Sequence, residues 1–477
     1  MSERVFCVDF GAAYTKVALR TAAQETANLV SFTTSARDFW APTVVAADWS
    51  SGRQKPDLEY GEKAAGIKPG GKIAVYSNFK KDLFAPPEVE APGAHPLDAL
   101  LQSEEFEALA AKYSVLPAWV AGLRTMVGSA KAMFGAGGDR PASAGVSKQE
   151  RAKNVVYYYF EWLRERVMEA CEKLPHTALD YKSIPLRVAV PVLGTGTDLD
   201  QHPGCQRLRE ALSLTKWKLD GRLFVAEPES NAVGVLTKAA NALTRKKQVN
   251  LGEMFSKGPL VTVLKGDAYH PTYRALVIDV GAFTTDFAAL AVDTGGKPAD
   301  SSAGAGFGIV QHSVEHGVTN LDAAVRGALP EDKRAALDGL SRRDFSAFQV
   351  SAYTDETGYR LPDRRVLGGD ADRDAVRSGL SDFARRLTDE TAAFCQQLGP
   401  ASMQELILTG GGSSIPAVRD ALIAAAAQAP GGTFVKTHAP GLKKSKAGPP
   451  VDPLDDKLAR GGSALGGASI YFEKAYY

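Results

Sequence analysis

The segment RVFCVDFGAAYTKVAL at positions 4–19 decides the fold assignment, because the chain carries a second copy of it. Shifted by 270 positions, it aligns without a gap on RALVIDVGAFTTDFAA at 274–289. Each copy begins with an apolar run typical of a buried strand, continues through Asp-x-Gly and a short turn, and enters a second strand. The identical pairs are Arg4/Arg274, Asp9/Asp279, Gly11/Gly281, Ala12/Ala282, Thr15/Thr285 and Ala18/Ala288. The repeat predicts a duplicated α/β fold in which each half contributes one turn to a shared cleft.

The turn in each copy has the composition of a phosphate-binding loop. Gly11 and Gly281 lack a Cβ atom, which lets the backbone approach a ligand, and successive backbone N–H groups in such a turn can bind an anion. Asp9 and Asp279 would repel a polyphosphate unless a hard divalent cation lay between them. The two carboxylates therefore predict Mg²⁺, which keeps several of its waters when it is bound.

Three further segments are predicted to reach the same cleft. ELILTGGGSSIPAVRDAL at 405–422 indicates a strand, a loop with three consecutive glycines, and a helix. PLRVAVPVLG at 185–194 indicates a core strand, and LFVAEPESNAVGVL at 223–236 indicates a strand that leads into a helix. Glu227 lies at that junction, where it is either a solvated cap or a carboxylate that orients a water in the cleft.

Composition and charge exclude several classes of protein. The chain has 477 residues, with 56 Lys plus Arg against 55 Asp plus Glu and a formal net charge of +1, so bulk charge disfavours nucleic-acid binding. Its four cysteines lie far apart, which predicts free thiols rather than a disulfide framework or a zinc site. No apolar run is long enough to span a membrane, and the amino terminus lacks a signal-peptide pattern. We therefore expect a cytoplasmic protein without a membrane span.

Four of these motifs together resemble a known superfamily. DFGAAYTK, AEPESNA, DVGAFTTDFA and ILTGGGSSIP are similar, in this order, to the phosphate-1, connecting, phosphate-2 and adenosine motifs of actin, sugar kinases and the 70-kDa heat-shock chaperones. The chaperone ATPase domain looks nearest, because segments 41–48, 60–66, 78–84 and 454–471 also resemble parts of it. The resemblance implies a two-lobed, duplicated ribonuclease-H-like fold, the actin-like ATPase fold, with a nucleotide cleft between the lobes.

The resemblance also implies roles for individual residues. Asp9 and Asp279 match the carboxylates that hold Mg²⁺ through water, and Lys80 matches the lysine that reaches the γ-phosphate and the attacking water. The other catalytic positions implied are Glu227, Asp286 and Thr284. Positions that match the nucleotide-binding turns and loops are Gly11, Ala12, Ala13, Tyr14, Gly281, Ala282, Phe283, Gly317, Gly410, Gly411, Gly412 and Ser413. The implied ligands are ATP or ADP together with Mg²⁺.

The sequence departs from the chaperone pattern at several of these positions. Ala12 and Ala13 stand where the chaperones have threonines, which removes a hydroxyl near the γ-phosphate and predicts slower turnover. Ala282 and Phe283 stand where the family has glycines, so a bulky ring is expected where the backbone passes the phosphates. Ser414 replaces an arginine that stacks on the base, which predicts weaker base recognition.

The resemblance divides the chain into two lobes. Residues 1–235, with a helical insertion at about 85–150, form the first lobe, and residues 455–477 complete it; residues 236–454 form the second lobe. No equivalent of the chaperones' peptide-binding module is expected after the closing helix. Closure of the cleft between the lobes is the motion that this organisation predicts.

Three functions remain open on the sequence. The first is a Mg-ATP-binding ATPase, chaperone-like or partner-regulating, whose lobe motion is read by a protein partner that the sequence does not name. The second is an actin-like protein that self-assembles with ATP, suggested by the insertion at 85–150. The third is a scaffold that binds ATP without hydrolysing it, suggested by Ala12, Ala13 and Phe283. A sugar kinase is less favoured, because no acceptor-site motif is visible.

Overall fold

The computed structural model describes residues 4–21, 27–32, 39–51, 56–86, 147–174, 179–193, 198–244, 272–293, 307–354, 369–398, 405–428, 436–440 and 451–469. Most of the predicted helical insertion, at 87–146, lies outside the described residues, as does 470–477 of the predicted closing segment. Within the parts that are described, no helix is both long and apolar enough to cross a membrane.

The chain is a mixed α/β protein. Its strands are β1 (Val5–Phe10), β2 (Tyr14–Arg20), β3 (Asn28–Leu29), β4 (Trp40–Pro42), β5 (Val44–Asp48), β6 (Asp57–Tyr60), β7 (Ile73–Ser77), β8 (Leu186–Val190), β9 (Leu219–Ala226), β10 (Thr272–Val280), β11 (Thr285–Asp293), β12 (Phe307–Val314), β13 (Glu405–Thr409), β14 (Lys436–Ala439) and β15 (Val451–Pro453). Its helices are α1 (Gly61–Ala65), α2 (Phe79–Phe84), α3 (Lys148–Cys171), α4 (Pro203–Ser213), α5 (Glu227–Thr244), α6 (Val318–Ala328), α7 (Glu331–Asp338), α8 (Arg342–Thr354), α9 (Asp370–Gln397), α10 (Pro416–Gln428) and α11 (Asp456–Ser469).

Two large sheets have the same order of neighbours. In the first, β1 pairs antiparallel with β2 and parallel with β8, and β8 pairs parallel with β9. In the second, β10 pairs antiparallel with β11 and parallel with β13, and β13 pairs parallel with β14. A further antiparallel strand follows on the outer side of each hairpin, β3 beside β2 and β12 beside β11. The repeated sequences at 4–19 and 274–289 therefore occupy equivalent places in the two sheets.

Each sheet has its own hydrophobic core. In the first half of the chain, the sheet packs with α2, α3 and α4 around fully buried side chains such as Phe6, Phe10 and Phe160. In the second half, α6, α8, α9 and α10 cover the other sheet around Phe287, Phe348 and Leu406. The strand β1 and residues 275–278 of β10 are buried because helices cover them, and each strand ends at the Asp-x-Gly turn.

Two helices cross where the halves meet, with glycines of both at the contact. A Cβ atom on Gly466 of α11 would lie 1.6 Å from the Ser230 carbonyl oxygen of α5, and one on Gly234 would lie 2.1 Å from the Gly462 carbonyl oxygen. Glycine is intrinsically unfavourable inside a helix, by about 1 kcal/mol relative to Ala, and here it permits backbone contact between the two helices. The helix α5 packs against strands of both sheets and runs through the lobe boundary predicted at 235/236.

Candidate functional site

The turns of the two repeats face one cavity of about 250 Å³ between the halves of the chain. The cavity also receives α2, the start of α5 and the loop after β13. Predicted site residues that line it are Asp9, Gly11, Ala12, Ala13, Tyr14, Lys80, Glu227, Asp279, Gly281, Ala282, Phe283, Thr284, Asp286, Gly410, Gly411 and Gly412. Side chains and turns separated by up to about 400 positions in sequence thus meet at one place.

The first turn is held from behind by Thr43. Its hydroxyl donates to the Gly11 carbonyl over 2.7 Å, and its backbone N–H donates to the Ala13 carbonyl over 2.9 Å. Gly11 itself is required, because a Cβ atom there would lie 2.3 Å from the Tyr14 carbonyl oxygen. The sequence Asp-x-Gly therefore gives a tight turn whose next residues, Ala12 and Ala13, face the cavity.

The second turn is held in the same way by the start of α6. The backbone N–H groups of Val318 and Thr319 donate to the carbonyls of Gly281 and Ala282 over 3.0 and 2.9 Å. Gly317 lies behind the turn, where a Cβ atom would be 2.4 Å from the Ala282 carbonyl oxygen, and it does not line the cavity. The sequence predicts that Gly317 approaches the phosphates, but in the structure it buttresses the turn.

Strand register places four charged groups at the ends of the two hairpins. Asp9 lies opposite Lys16 across β1 and β2, and the Lys16 Nζ donates to Asp9 Oδ2 over 2.9 Å. At the equivalent position of the second repeat, Asp279 lies opposite Asp286, so the cross-strand pair carries like charges. Asp286 accepts hydrogen bonds from Ser313 and, over 3.1 Å, from the Thr284 hydroxyl.

Lys80 and Glu227 form a buried ion pair beside these turns. Lys80 lies in α2 and Glu227 begins α5; the two residues are 3% and 5% exposed, and the Lys80 Nζ donates to Glu227 Oε1. Both residues also line the cavity, which excludes the interpretation of Glu227 as a solvated cap. The resemblance matches Lys80 to the lysine that reaches the γ-phosphate and Glu227 to a carboxylate of the cleft, and in the structure the two side chains are in contact.

The cleft carries more acidic than basic groups, and the pKa values of three of its carboxyl groups are raised. Desolvation raises the pKa of Glu227 to about 8 although Lys80 opposes the shift, and it raises the pKa of Asp286 to about 7 with the help of Asp279. Desolvation also raises the pKa of Asp279 to about 7, against the effect of Lys16. Bringing a cation to these carboxylates would relieve their mutual repulsion.

The loop after β13 forms the third wall of the cavity. Gly410 has a φ of +82°, and a Cβ atom there would lie 2.1 Å from Asp279 Oδ1, so only glycine fits. Ser413 is fully buried, its hydroxyl donates to the Thr409 carbonyl, and it does not line the cavity. Ser413 therefore closes the strand-to-helix turn, and its neighbour Ser414 faces the cleft instead.

The ring of Phe283 takes an unexpected position. It is 3% exposed and packs into the hydrophobic core of the first half of the chain, although it belongs to the second turn. The residue also lines the cavity. The sequence predicts a bulky ring in the path of the phosphates. In the structure the ring instead packs into the first core and so joins the two halves.

Sequence reasoning missed Lys16 and the wall built by α6 and α8. Lys16 could have been found from the repeat, since a shift by 270 positions places it on Asp286. The α6–α8 wall contains Asp322, which accepts hydrogen bonds from Gln349 and, over 2.9 Å, from the Tyr353 hydroxyl. No motif marks these residues, because their proximity depends on how α6 and α8 pack.

The residues present fit magnesium bound through water. Asp9 and Asp279 both line the cavity and offer the oxygen ligands that Mg²⁺ prefers. Among the described residues, no group of three or more His, Cys, Asp or Glu side chains is placed to hold a metal ion directly. A cation here would keep most of its waters, which is the usual behaviour of Mg²⁺ but not of Zn²⁺.

The chain matches no protein-family model, and no curated protein matches it. What the cleft does must therefore be inferred from its own residues and geometry.

Proposed function

We propose that this chain binds Mg-ATP in the cleft between its halves and hydrolyses it to ADP and phosphate. The observation that carries the proposal is the convergence of two equivalent Asp-x-Gly turns, a glycine loop and a buried Lys–Glu pair on one cavity. Paired carboxylates, glycine-containing turns and a buried lysine together suit a polyphosphate with its cation better than an uncharged ligand.

The sheet topology supports the duplicated, two-lobed fold of the actin, sugar kinase and heat-shock chaperone superfamily. Both sheets have a hairpin followed by two parallel strands in the same order, and the two hairpins carry the repeated sequence. In that fold the nucleotide lies between the lobes, where the cavity is found here. The crossing of α5 and α11 is then the hinge on which the lobes move.

In this proposal each charged group has a defined task. Asp9 and Asp279 would hold Mg²⁺ through water, and the bound cation would neutralise charge on the phosphates. Lys16 and Lys80 bring positive charge from the first half of the chain, and the N–H groups of the turns donate to phosphate oxygens. Thr284 supplies the hydroxyl at the second turn, where it already bonds to Asp286.

Hydrolysis requires a water in line with the bond to be broken. The oxygen of that water bonds to the γ-phosphorus as the bond to the bridging oxygen breaks, the water loses a proton that passes to solvent, and the products are ADP and phosphate. Glu227 and Lys80 position the water, because they are the only buried ion pair that the described residues place against the cavity. Burial of the pair excludes bulk water, which strengthens each of these interactions.

A second candidate is a scaffold that binds ATP without turnover. It is favoured by the first turn, where Ala12 and Ala13 face the cavity and the hydroxyl of the following Thr15 is bonded to Thr43 over 2.9 Å. The polymerising alternative was suggested by residues 85–150, of which 87–146 lie outside the described part of the chain.

Multiple-turnover phosphate release with Mg-ATP tests the proposal. We expect release by the unmodified chain and a loss of about a hundredfold or more in Glu227→Gln, which keeps an acceptor for Lys80 but changes the group that orients the water. Equal rates in both proteins would contradict the assignment of Glu227. Nucleotide binding without release would favour the scaffold, and sedimentation with Mg-ATP reports self-assembly.

A further inference from the structure

Asn231 lies on the cleft side of α5, one helical turn after Glu227. Because residues four apart share a helix face, α5 presents both side chains to the same region. Asn231 is 2% exposed, and its Nδ2 donates to Asp279 Oδ2 over 2.8 Å and to Thr409 Oγ1 over 2.6 Å. A single amide group therefore joins the connecting helix to two neighbouring strands of the second sheet.

The Asp279 carboxylate is fixed at both of its oxygens. Oδ2 accepts from Asn231, and Oδ1 occupies the space left by the missing side chain of Gly410. An amide is a neutral donor, so it orients the carboxylate without competing with a cation for its charge. Lys16 has the opposite effect on Asp9, because its ammonium group offsets that carboxylate's charge directly.

Asn231 also connects Asp279 to the crossing of the two helices. Its Oδ1 lies against α11, where a Cβ atom on Gly462 would be 2.1 Å away, and in the described part of the chain this oxygen accepts no hydrogen bond. The helix α11 in turn accepts a 2.8 Å hydrogen bond from the Gly410 N–H at the Ala459 carbonyl. Asp279 thus contacts Asn231 of α5, α5 contacts α11, α11 bonds to Gly410, and Gly410 lies against Asp279.

We propose that Asn231 is a positioning residue that orients the Asp279 carboxylate for the divalent cation and couples that carboxylate to the α5–α11 crossing. The inference rests on the proposed Mg-nucleotide site. It assigns Asn231 no contact with the nucleotide or the reacting atoms. Groups that orient a metal-binding carboxylate typically change metal affinity by about 10- to 100-fold when they are removed.

The test is calorimetric titration with ATP, in Mg²⁺ and in EDTA, of the full chain and of Asn231→Ala. We expect the gain in ATP affinity that Mg²⁺ provides to fall by about tenfold or more, with metal-free affinity unchanged within about threefold. A merely structural role would lower both affinities together. Asn154→Ala, which truncates a buried asparagine of α3 outside the cavity, is the matched control and should retain the full gain.

Each outcome is decisive. A full Mg²⁺ gain in Asn231→Ala, or an equal loss of both affinities, overturns the positioning role. Absence of any Mg²⁺ gain in the unmodified chain overturns the proposed function itself, and this inference with it. If Asn231→Ala does not fold, as judged by circular dichroism, Asn231→Ser replaces it with the same expected loss, because the serine hydroxyl is too short to span both acceptors.

Discussion

The two repeats differ at one charged position, and that difference sets the electrostatics of the cleft. Lys16 and Asp286 are equivalent residues in equivalent strands, yet the first neutralises Asp9 and the second repels Asp279. Lys16 thus offsets the charge of Asp9 on one side of the cleft, whereas Asp279 and Asp286 leave excess negative charge on the other. In the proposed site, a cation would therefore be needed chiefly on the side of Asp279.

The raised pKa of Glu227 makes the ligand-free chain less stable at alkaline pH. Burial raises the pKa of Glu227 to about 8 in the folded chain against the opposing effect of Lys80, whereas the unfolded chain releases this proton near pH 4, the usual range for glutamate. Stability from this group is fully present below about pH 4 and is lost as the pH rises towards 8. We expect the melting temperature of the ligand-free protein to fall between pH 6.5 and 8, and to fall less in Glu227→Gln.

The range from pH 6.5 to 8 avoids the opposing effect that histidine titration has on stability. Burial lowers the pKa of His202 and of His316, which adds stability as the pH rises, but only up to about pH 6.5, the ordinary histidine pKa. Glu169→Gln, at an exposed position of α3, is the control and should keep the slope of the unmodified chain. An identical slope in Glu227→Gln would show that this carboxyl does not titrate in the range.

At the scale of single elements, the loop after β13 depends on one glycine. An alanine at position 410 would adopt a positive φ and place its Cβ atom on Asp279 Oδ1, so we expect Gly410→Ala to lower the free energy of unfolding by about 2 kcal/mol or more. Gly411→Ala is the matched control for stability, since a Cβ atom added there would have no neighbour within 4 Å and the φ of Gly411 is −64°. Equilibrium denaturation of both variants measures the difference, and equal stabilities would contradict the role given to Gly410.

The repeat predicts much of the fold because its signals are local. The apolar runs before Asp9 and Asp279 and the glycines after them show where strands end, and β1 and β10 end there in the structure. The Gly-Gly-Gly segment likewise marks the turn before α10. These features depend on backbone conformation and burial, which a short stretch of sequence encodes.

Other parts of the site could not be predicted because they depend on packing between distant elements. The sequence predicts the helix that carries Asn231, but its partners Asp279 and Thr409 are set by the docking of α5 on the second sheet. The sequence assigns Gly317 and Ser413 to the cavity, yet they face the protein interior behind it. The elements that pack against a glycine-rich turn decide which side of the turn faces the cavity.

At the scale of the whole molecule, Phe283 joins the two halves. Its ring belongs to the second turn but is buried in the first core, so truncation should both destabilise the chain, by about 3 kcal/mol, and loosen the contact between halves. We expect a larger radius of gyration for ligand-free Phe283→Ala in small-angle X-ray scattering. Phe348→Ala removes a phenylalanine buried within the second half alone, and should destabilise the chain without expanding it. Equal dimensions of the two variants would contradict this role of Phe283.

The central claim is that the cleft between the halves is a Mg-nucleotide site, and calorimetric titration with ATP tests it most directly. In Mg²⁺ we predict binding that is stronger by about tenfold or more than in EDTA, and we predict that Asp279→Asn, which keeps the shape of the side chain but not its charge, loses this gain. Absence of binding under both conditions, or a gain that Asp279→Asn leaves unchanged, would contradict the account.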